Sequence, residues 1–247
     1  MSRRAGFGCL LAALSLILNL AAQPAGAEDK KAYEIVRESR QVLEEVMESD
    51  DNSIPLDLLQ RCAGVIIFPW VVKGGFIVGG SYGRGVVMSR SKDNVWRGPA
   101  FIEFGGGSLG FQIGIQSIEL VLVIMNERGV EAIMSSKVKL GADLAVAAGP
   151  VGRRGEASTD LTLKAEVYSY SRTKGLFAGI SLEGSGIGNM EELNQEYYKQ
   201  HYSARDILFR GLASPPKSGR DLIATLARYA GQGKKPVKTG SGSTSTL

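Results

Sequence analysis

The chain has 247 residues, 32 of them glycine, with 29 basic and 25 acidic side chains and a formal charge of +4. That length fits one domain with accessory ends. Two of the basic residues, Arg3 and Arg4, precede every acid, and three more, Lys234, Lys235 and Lys238, sit at the far end. Without those five, 24 basic residues face 25 acidic ones, so the body carries a charge near −1 and no nucleic-acid partner is expected of it.

The first 27 residues read as a signal peptide. Arg3 and Arg4 form a basic start, Leu10–Ala22 an apolar stretch, and Ala25-Gly26-Ala27 a small-residue cleavage site before Glu28. The apolar stretch is short of the roughly 20 residues a membrane helix needs. An exported protein is therefore expected, periplasmic or extracellular, with residues 28–231 as its domain. After cleavage only Cys62 remains, so no internal disulfide can form.

Residues 30–48 predict an amphipathic helix. Ala32, Ile35, Val36, Ser39, Val42, Leu43, Val46 and Met47 fall on one face, with glutamates on the other. The acidic polar face predicts packing on a sheet rather than on a membrane, where interfacial helices carry Lys and Arg. A short second helix should run from Pro55 to Cys62.

The stretch from Gly64 to Met88 carries an apolar run, then a basic hinge at Lys73-Gly74-Gly75, then alternation from Phe76. It predicts bent strands, with a hairpin over Phe76–Arg90 turning at Gly83. A short strand is expected at Val95–Arg97, another at Pro99–Phe104, and another around Phe111–Ile115. Glu119–Met125 is almost wholly apolar, which predicts a strand buried on both faces. Asn126 should cap a helix over Glu127–Ser135. Strands return at Lys139–Ala147, and a turn-rich loop fills 149–155. Leu161–Tyr170 and Leu176–Glu183 predict a hairpin turning at Arg172–Gly175. Helices follow at Glu191–Tyr202, Ala204–Phe209 and Arg220–Tyr229. Residues 232–247 read as a disordered basic Gly/Ser/Thr tail. The class expected is α+β: a curved, mainly antiparallel glycine-rich sheet closing into a barrel or sandwich, flanked by N- and C-terminal helices.

Chemistry-bearing motifs are sparse. Gly105-x-Gly107-x-x-Gly110 matches a dinucleotide pattern, but a strand rather than a helix follows it. One His, His201, and one mature Cys leave zinc without its usual ligands. No catalytic residue, metal or cofactor is therefore expected, and the chain is not read as an enzyme. Asp143 among Leu140, Leu144 and Val146 should be tied to backbone amides. Basic residues gather at expected turns: Lys73, Arg84, Arg90, Lys92 and Arg97; Arg153 and Arg154; Arg172 and Lys174. They bind phosphate together only if several converge on one rim.

Five ordered segments resemble the SYLF domain family: AGVIIFPWVVKGGFIVGGSYGRGVV (63–87), GGGSLGFQIGIQS (105–117), KVKLGADLAVAAGPVGR (137–153), EVYSYSRTKGLFAGISLEG (166–184) and NQEYYKQHYSARDIL (194–208). The resemblance covers roughly residues 30–211. It implies a phospholipid- and phosphoinositide-binding module, some of whose fungal members bind and bundle actin. Bacterial members look like single-domain exported proteins. The expected partner is thus an anionic phospholipid headgroup or membrane surface. Lys73, Arg84, Arg153 and Arg154 would form the phosphate rim and Trp70 an interfacial anchor beside it. For an exported chain, actin is not expected. The alternative is an envelope structural or protein-interaction module that does not bind lipid directly.

Overall fold

A computed structural model describes residues 25–49, 53–75, 78–109, 114–135, 137–150, 165–173, 176–179, 182 and 184–231. The expected signal segment before residue 25, the tail from 232, Arg153, Arg154 and Lys174 lie outside them. The first helix, α1 (Ala25–Glu48), begins ahead of the expected start and runs across residues 25–27. Next come α2 (Leu56–Arg61), β1 (Gly64–Gly75), β2 (Val78–Arg90), β3 (Trp96–Leu109) and β4 (Gly114–Ile124). After α3 (Glu127–Ile133), capped by the Asn126 side chain as expected, lie β5 (Lys137–Lys139), β6 (Val146–Ala148), β7 (Val167–Thr173), β8 (Leu176–Gly179) and β9 (Gly186–Asn189). The chain ends with α4 (Glu191–Tyr198), a π-helical turn (Asp206–Arg210) and α5 (Lys217–Gly231).

The nine strands form one sheet in the order β5-β9-β3-β2-β1-β4-β7-β6, with β8 also on β7. Every named pairing is antiparallel except β6 with β7. This is the curved, mainly antiparallel, helix-flanked α+β architecture the sequence implies. The sheet curls far enough that its two edge strands, β5 and β6, are joined by a six-residue turn. Within it Leu140 and Leu144 form an isolated bridge. The strands expected as one run over Lys139–Ala147 are therefore two edges separated by a turn, at Gly141 with φ +88°.

Alternation sorts the core into two layers. Val65, Ile67, Val86, Met88, Phe101, Val121, Val123, Tyr168 and Tyr170 face outward under α1, α2, α4 and α5. Ile66, Phe68, Val71, Val87, Ile102, Phe104, Leu120, Leu122 and Val167 face into the curl, closed off by Leu140, Leu144, Val130, Ile133, Ile207 and Leu208. β4 is buried on both faces, as its apolar run requires. The apolar stripe of α1 is buried as expected, with Ala32, Val36 and Leu43 fully covered.

Several boundaries differ from the sequence reading, each for a physical reason. Gly83 is not a turn: it lies mid-strand between Val71 and Phe104. A Cβ there would come within 2.6 Å of the Trp70 carbonyl oxygen, so the glycine serves close packing. Lys73-Gly74-Gly75 belongs to β1 itself, and Gly105–Gly107 continue β3 as strand. Arg172 is likewise in β7 rather than in a turn. The helix expected to reach Tyr202 stops at Tyr198, where Lys199 takes a left-handed conformation at φ +56°. The next segment is π-helical rather than α-helical over most of its length, and the last helix starts at Lys217, just after Pro215-Pro216.

One ion cluster ties α1 to the sheet. Arg172 donates to Glu119 on β4 (2.8 Å for one of its contacts) and to Glu45 on α1, and its side chain is only 19% exposed. Bonds from Glu119 and Glu45 raise the already high pKa of Arg172 further. Hydrogen bonds from Gln41 and Arg172 hold the Glu45 carboxyl below its ordinary value of 4.5. A depressed carboxylate stabilises the fold above the ordinary value, and that contribution fades as pH falls through the lowered one. Arg172→Ala should cost about 1–3 kcal/mol at pH 7. Thermal melts should show the gap to the parent narrowing below pH 4.5. A gap that stays constant down to pH 3 would exclude the cluster as its source.

A second test concerns β1 against β2. A Cβ on Gly85 would lie 2.2 Å from the Ile67 carbonyl oxygen and 2.6 Å from the Phe68 ring. Gly85→Ala should therefore destabilise by about 1–3 kcal/mol or more, read as a lower melting temperature.

Candidate functional site

The helices cover only one half of the outward sheet face. Beyond them the face is open at the ends of β1, β2 and β3. A β-bulge in β1 decides which residues reach it. The register against β2 slips between Ile67 and Trp70, and against β4 between Phe68 and Val71. One extra residue inverts the alternation: Phe68 and Val71 both face the curl, while Trp70 and Val72 face outward.

Trp70 then pairs with Arg84 and Val72 with Tyr82 across the β1–β2 ladder. The Trp70 and Tyr82 rings lie 6.5 Å apart. The Arg84 guanidinium sits 5.9 Å over the Tyr82 ring, and its Nε donates to the Tyr82 hydroxyl at 2.8 Å. Val72 is 41% exposed and Tyr82 42%. The result is a guanidinium held upright beside an apolar, partly aromatic surface, a combination suited to an anionic group next to an apolar one.

Of the five residues singled out from the sequence, the structure brings Trp70 and Arg84 together. Lys73 lies on the opposite face, alternating with Val72 and paired with Ser81 and Gln116. Burial holds its ammonium below the ordinary lysine value. Arg153 and Arg154 are outside the described residues. Tyr82 and Val72 were not singled out, although the period-two pattern that placed Tyr82 on the strand could have paired it with Trp70 had the bulge been visible.

Arg90, Lys92, Arg97 and Arg172 do not join this end. Arg90 and Arg97 lie at the opposite ends of β2 and β3, about 20 Å away at 3.3 Å per residue. Both are committed to backbone and turn groups. Arg90 donates to Asn94 Oδ1 at 2.7 and 3.0 Å and to the Gln60 carbonyl at the end of α2. Arg97 donates to the Phe209 carbonyl in the π-helical turn. Cations at such carbonyl-rich helix ends are structural caps. Lys92 lies 3.8 Å from Glu127, and Arg172 is consumed by its two glutamates.

Among the described residues no three His, Cys, Asp or Glu side chains come together as metal ligands. No described helix is long and apolar enough to cross a membrane. Gly105 and Gly107 of the dinucleotide-like motif lie in β3, and the next described element is β4, not a helix. His201 is exposed in the turn after α4. Asp143 binds a backbone amide, that of Lys139, at 2.7 Å, rather than a glycine amide.

An α+β module with a helix-covered sheet, bared at one end around an aromatic–guanidinium pair, is the class this geometry defines. A family model described as "Ysc84: Las17-binding protein actin regulator" matches residues 105–229, and the chain belongs to this family, the SYLF family its segments resemble. It is 37% identical over 204 residues to the SH3 domain-containing YSC84-like protein 1 of Bos taurus, a match covering 82% of this chain and 59% of that protein. The Homo sapiens protein of the same name is 36% identical over 214 residues, covering 85% and 61%. LAS seventeen-binding protein 3 of Saccharomyces cerevisiae is 36% identical over 169 residues, covering 67% and 37%. The chain thus spans about three-fifths of the animal relatives' length. These names are of actin-regulating and SH3-containing proteins, and they give no support to the expectation that sets actin aside.

Cys62 is buried, its Sγ donates to the Leu59 carbonyl at 3.2 Å, and burial pushes the thiol up to about 12. In the native protein at pH 8 it should resist iodoacetamide, and it should label fully once denatured. Rapid native labelling, followed by mass spectrometry, would contradict this.

Proposed function

We propose that the chain is a non-catalytic module that binds anionic phospholipid headgroups at the bared end of its sheet. The observation that carries the reading is the pairing of Arg84 with Trp70 and Tyr82 on an exposed face. A guanidinium can take a phosphate bidentately while the neighbouring rings reach the interfacial layer. The body of the chain is near neutral overall, so the attraction is local, about 1 kcal/mol for each cation close to an anionic surface and lost within a Debye length. Arg153 and Arg154, outside the described residues, remain part of the proposed rim, and Lys73, on the other face of the sheet, does not. The signal-like start supports export to the cell envelope as the setting, and the Gly/Ser/Thr end from 232 is a tail to the domain.

A second reading has a specific observation behind it: the family description names Las17 binding and actin regulation. In that case the same exposed face would meet a protein.

Vesicle cosedimentation decides between them. The protein should bind anionic vesicles more tightly than neutral ones and lose binding at high salt. Arg84→Glu should weaken binding about tenfold at low salt, from a charge reversal worth about 1–2 kcal/mol. Trp70→Ala should reduce the part that survives salt. Equal, salt-independent association with both vesicle types, unchanged in Arg84→Glu, would remove the lipid reading and favour the protein partner.

A further inference from the structure

The register across five strands carries the open face well beyond Arg84. One row of outward residues runs Trp70 on β1, Arg84 on β2, Glu103 on β3, Gly188 on β9 and Lys137 on β5. The next runs Val72, Tyr82, Gly105, Gly186 and Lys139. The following row has Gly74, Gly80 and Gly107. Val138 and Ile187, between the rows, face the curl, which confirms that Lys137 and Lys139 point the other way. Both lysines are exposed.

The charge on this face is one-sided. Arg84, Lys137 and Lys139 stand against Glu103. Asp143 lies at the margin, but its carboxylate accepts the Lys139 backbone N–H and so sits in the plane of the sheet at its edge. From β2 to β5 the face spans about 14 Å at the usual strand spacing. Its middle carries almost no side chains. Gly105 and Gly107 are exposed, their φ is not positive, and a Cβ at either would have no described atom within 4 Å. Neither backbone conformation nor packing among the described residues asks for glycine there, and a strand interior disfavours it. Glycine in such a place lets something from outside approach the backbone.

We propose that this outward face of β2, β3, β9 and β5 lies flat against an anionic phospholipid headgroup layer, with Lys137 and Lys139 as a second line of phosphate contacts opposite Arg84. The inference rests on the lipid reading above and extends it from a rim of turns to a sheet surface. The complementary partner is anionic because three cations stand against one acid, and extended and level because the only side chain on the floor between the two cation lines is that of Glu103, which lies against Gly188. Lys137 and Lys139 came from a short, strictly alternating Lys-Val-Lys run that no turn argument would select.

The test uses vesicles of phosphatidylcholine with and without phosphatidic acid. Lys137→Glu with Lys139→Glu should weaken binding to the anionic vesicles about tenfold or more. A control with the same change in net charge away from this face, Lys92→Glu with Arg205→Glu, at Lys92 beside Glu127 and at Arg205, which precedes the π-helical turn and lies 3.9 Å from Glu131, should weaken it less than threefold. Gly105→Thr with Gly107→Thr should keep or raise the melting temperature and yet weaken binding, because the added side chains hold the surface off. If the parent binds and Arg84→Glu impairs it, while the lysine pair behaves like the control and the threonine pair like the parent, the flat-face inference is wrong and the lipid reading stands. If the parent does not distinguish anionic from neutral vesicles, both fall. A lowered melting temperature in the threonine variant would assign the glycines to folding, and the lysine pair would then decide alone.

Discussion

One extra residue in β1 governs the rest of this molecule. Up to Phe68 the strand alternates as its neighbours do, filling the curl with one set of side chains and the helix layer with the other. The bulge at Pro69–Trp70 inverts that order, and Val71 rather than Trp70 takes the next inward place. β2 can follow the bent strand only because Gly83 and Gly85 lack side chains where the Trp70 and Ile67 carbonyl oxygens press in. The helix-covered half of the sheet and its open half meet at this point. Without the bulge, Trp70 would enter the core and the aromatic–guanidinium pair would not exist.

The two halves are stabilised differently. Above the bulge both faces of the sheet are buried, and the dominant contribution is apolar packing. The position of α1 on that packing is fixed further by Arg172 reaching both Glu119 and Glu45, one charge joining a sheet strand to a helix from the far end of the sequence. At the turn end, Arg90 and Arg97 hold the carbonyl ends of α2 and the π-helical turn. Ser89 adds a bond from its hydroxyl to the Leu208 carbonyl at 2.6 Å. Cations that look alike in the sequence thus divide by the polarity of what they meet. Those next to helix carboxyl ends are structural, and those over bare strand are free to meet a partner.

The larger outlines of this division were legible in the sequence. The amphipathic stripe of α1, the doubly apolar run of β4, the Asn126 cap and the alternation of Val167–Tyr170 each state a local rule that the tertiary structure obeys. Glycine was the residue read least well. In a single chain, a glycine that makes a turn, one that allows two strands to approach and one that leaves a surface bare carry the same letter. Gly83 reads as the first and is the second; Gly105–Gly107 follow the strand expected over Pro99–Phe104 and are strand themselves. The bulge was invisible for the same reason, since it is a relation between strands and not a property of one. That is why Trp70 and Arg84 lie side by side while Lys73, three residues from Trp70, lies on the other side of the sheet.

The join between β5 and β6 has a bearing on self-association. Sheet edges invite another chain to add a strand, because their N–H and C=O groups are unpaired. At the β5 edge, Lys139 already gives its N–H to the Asp143 carboxylate and its C=O to the Asp143 N–H, at 2.7 and 2.9 Å. A single aspartate from the turn that links the two edges thus occupies both edge-facing backbone groups of Lys139. The exposed lysines on either side of Val138 add like-charge repulsion between two such edges. The protein can therefore display an open sheet face beside an edge that is partly blocked to an incoming strand.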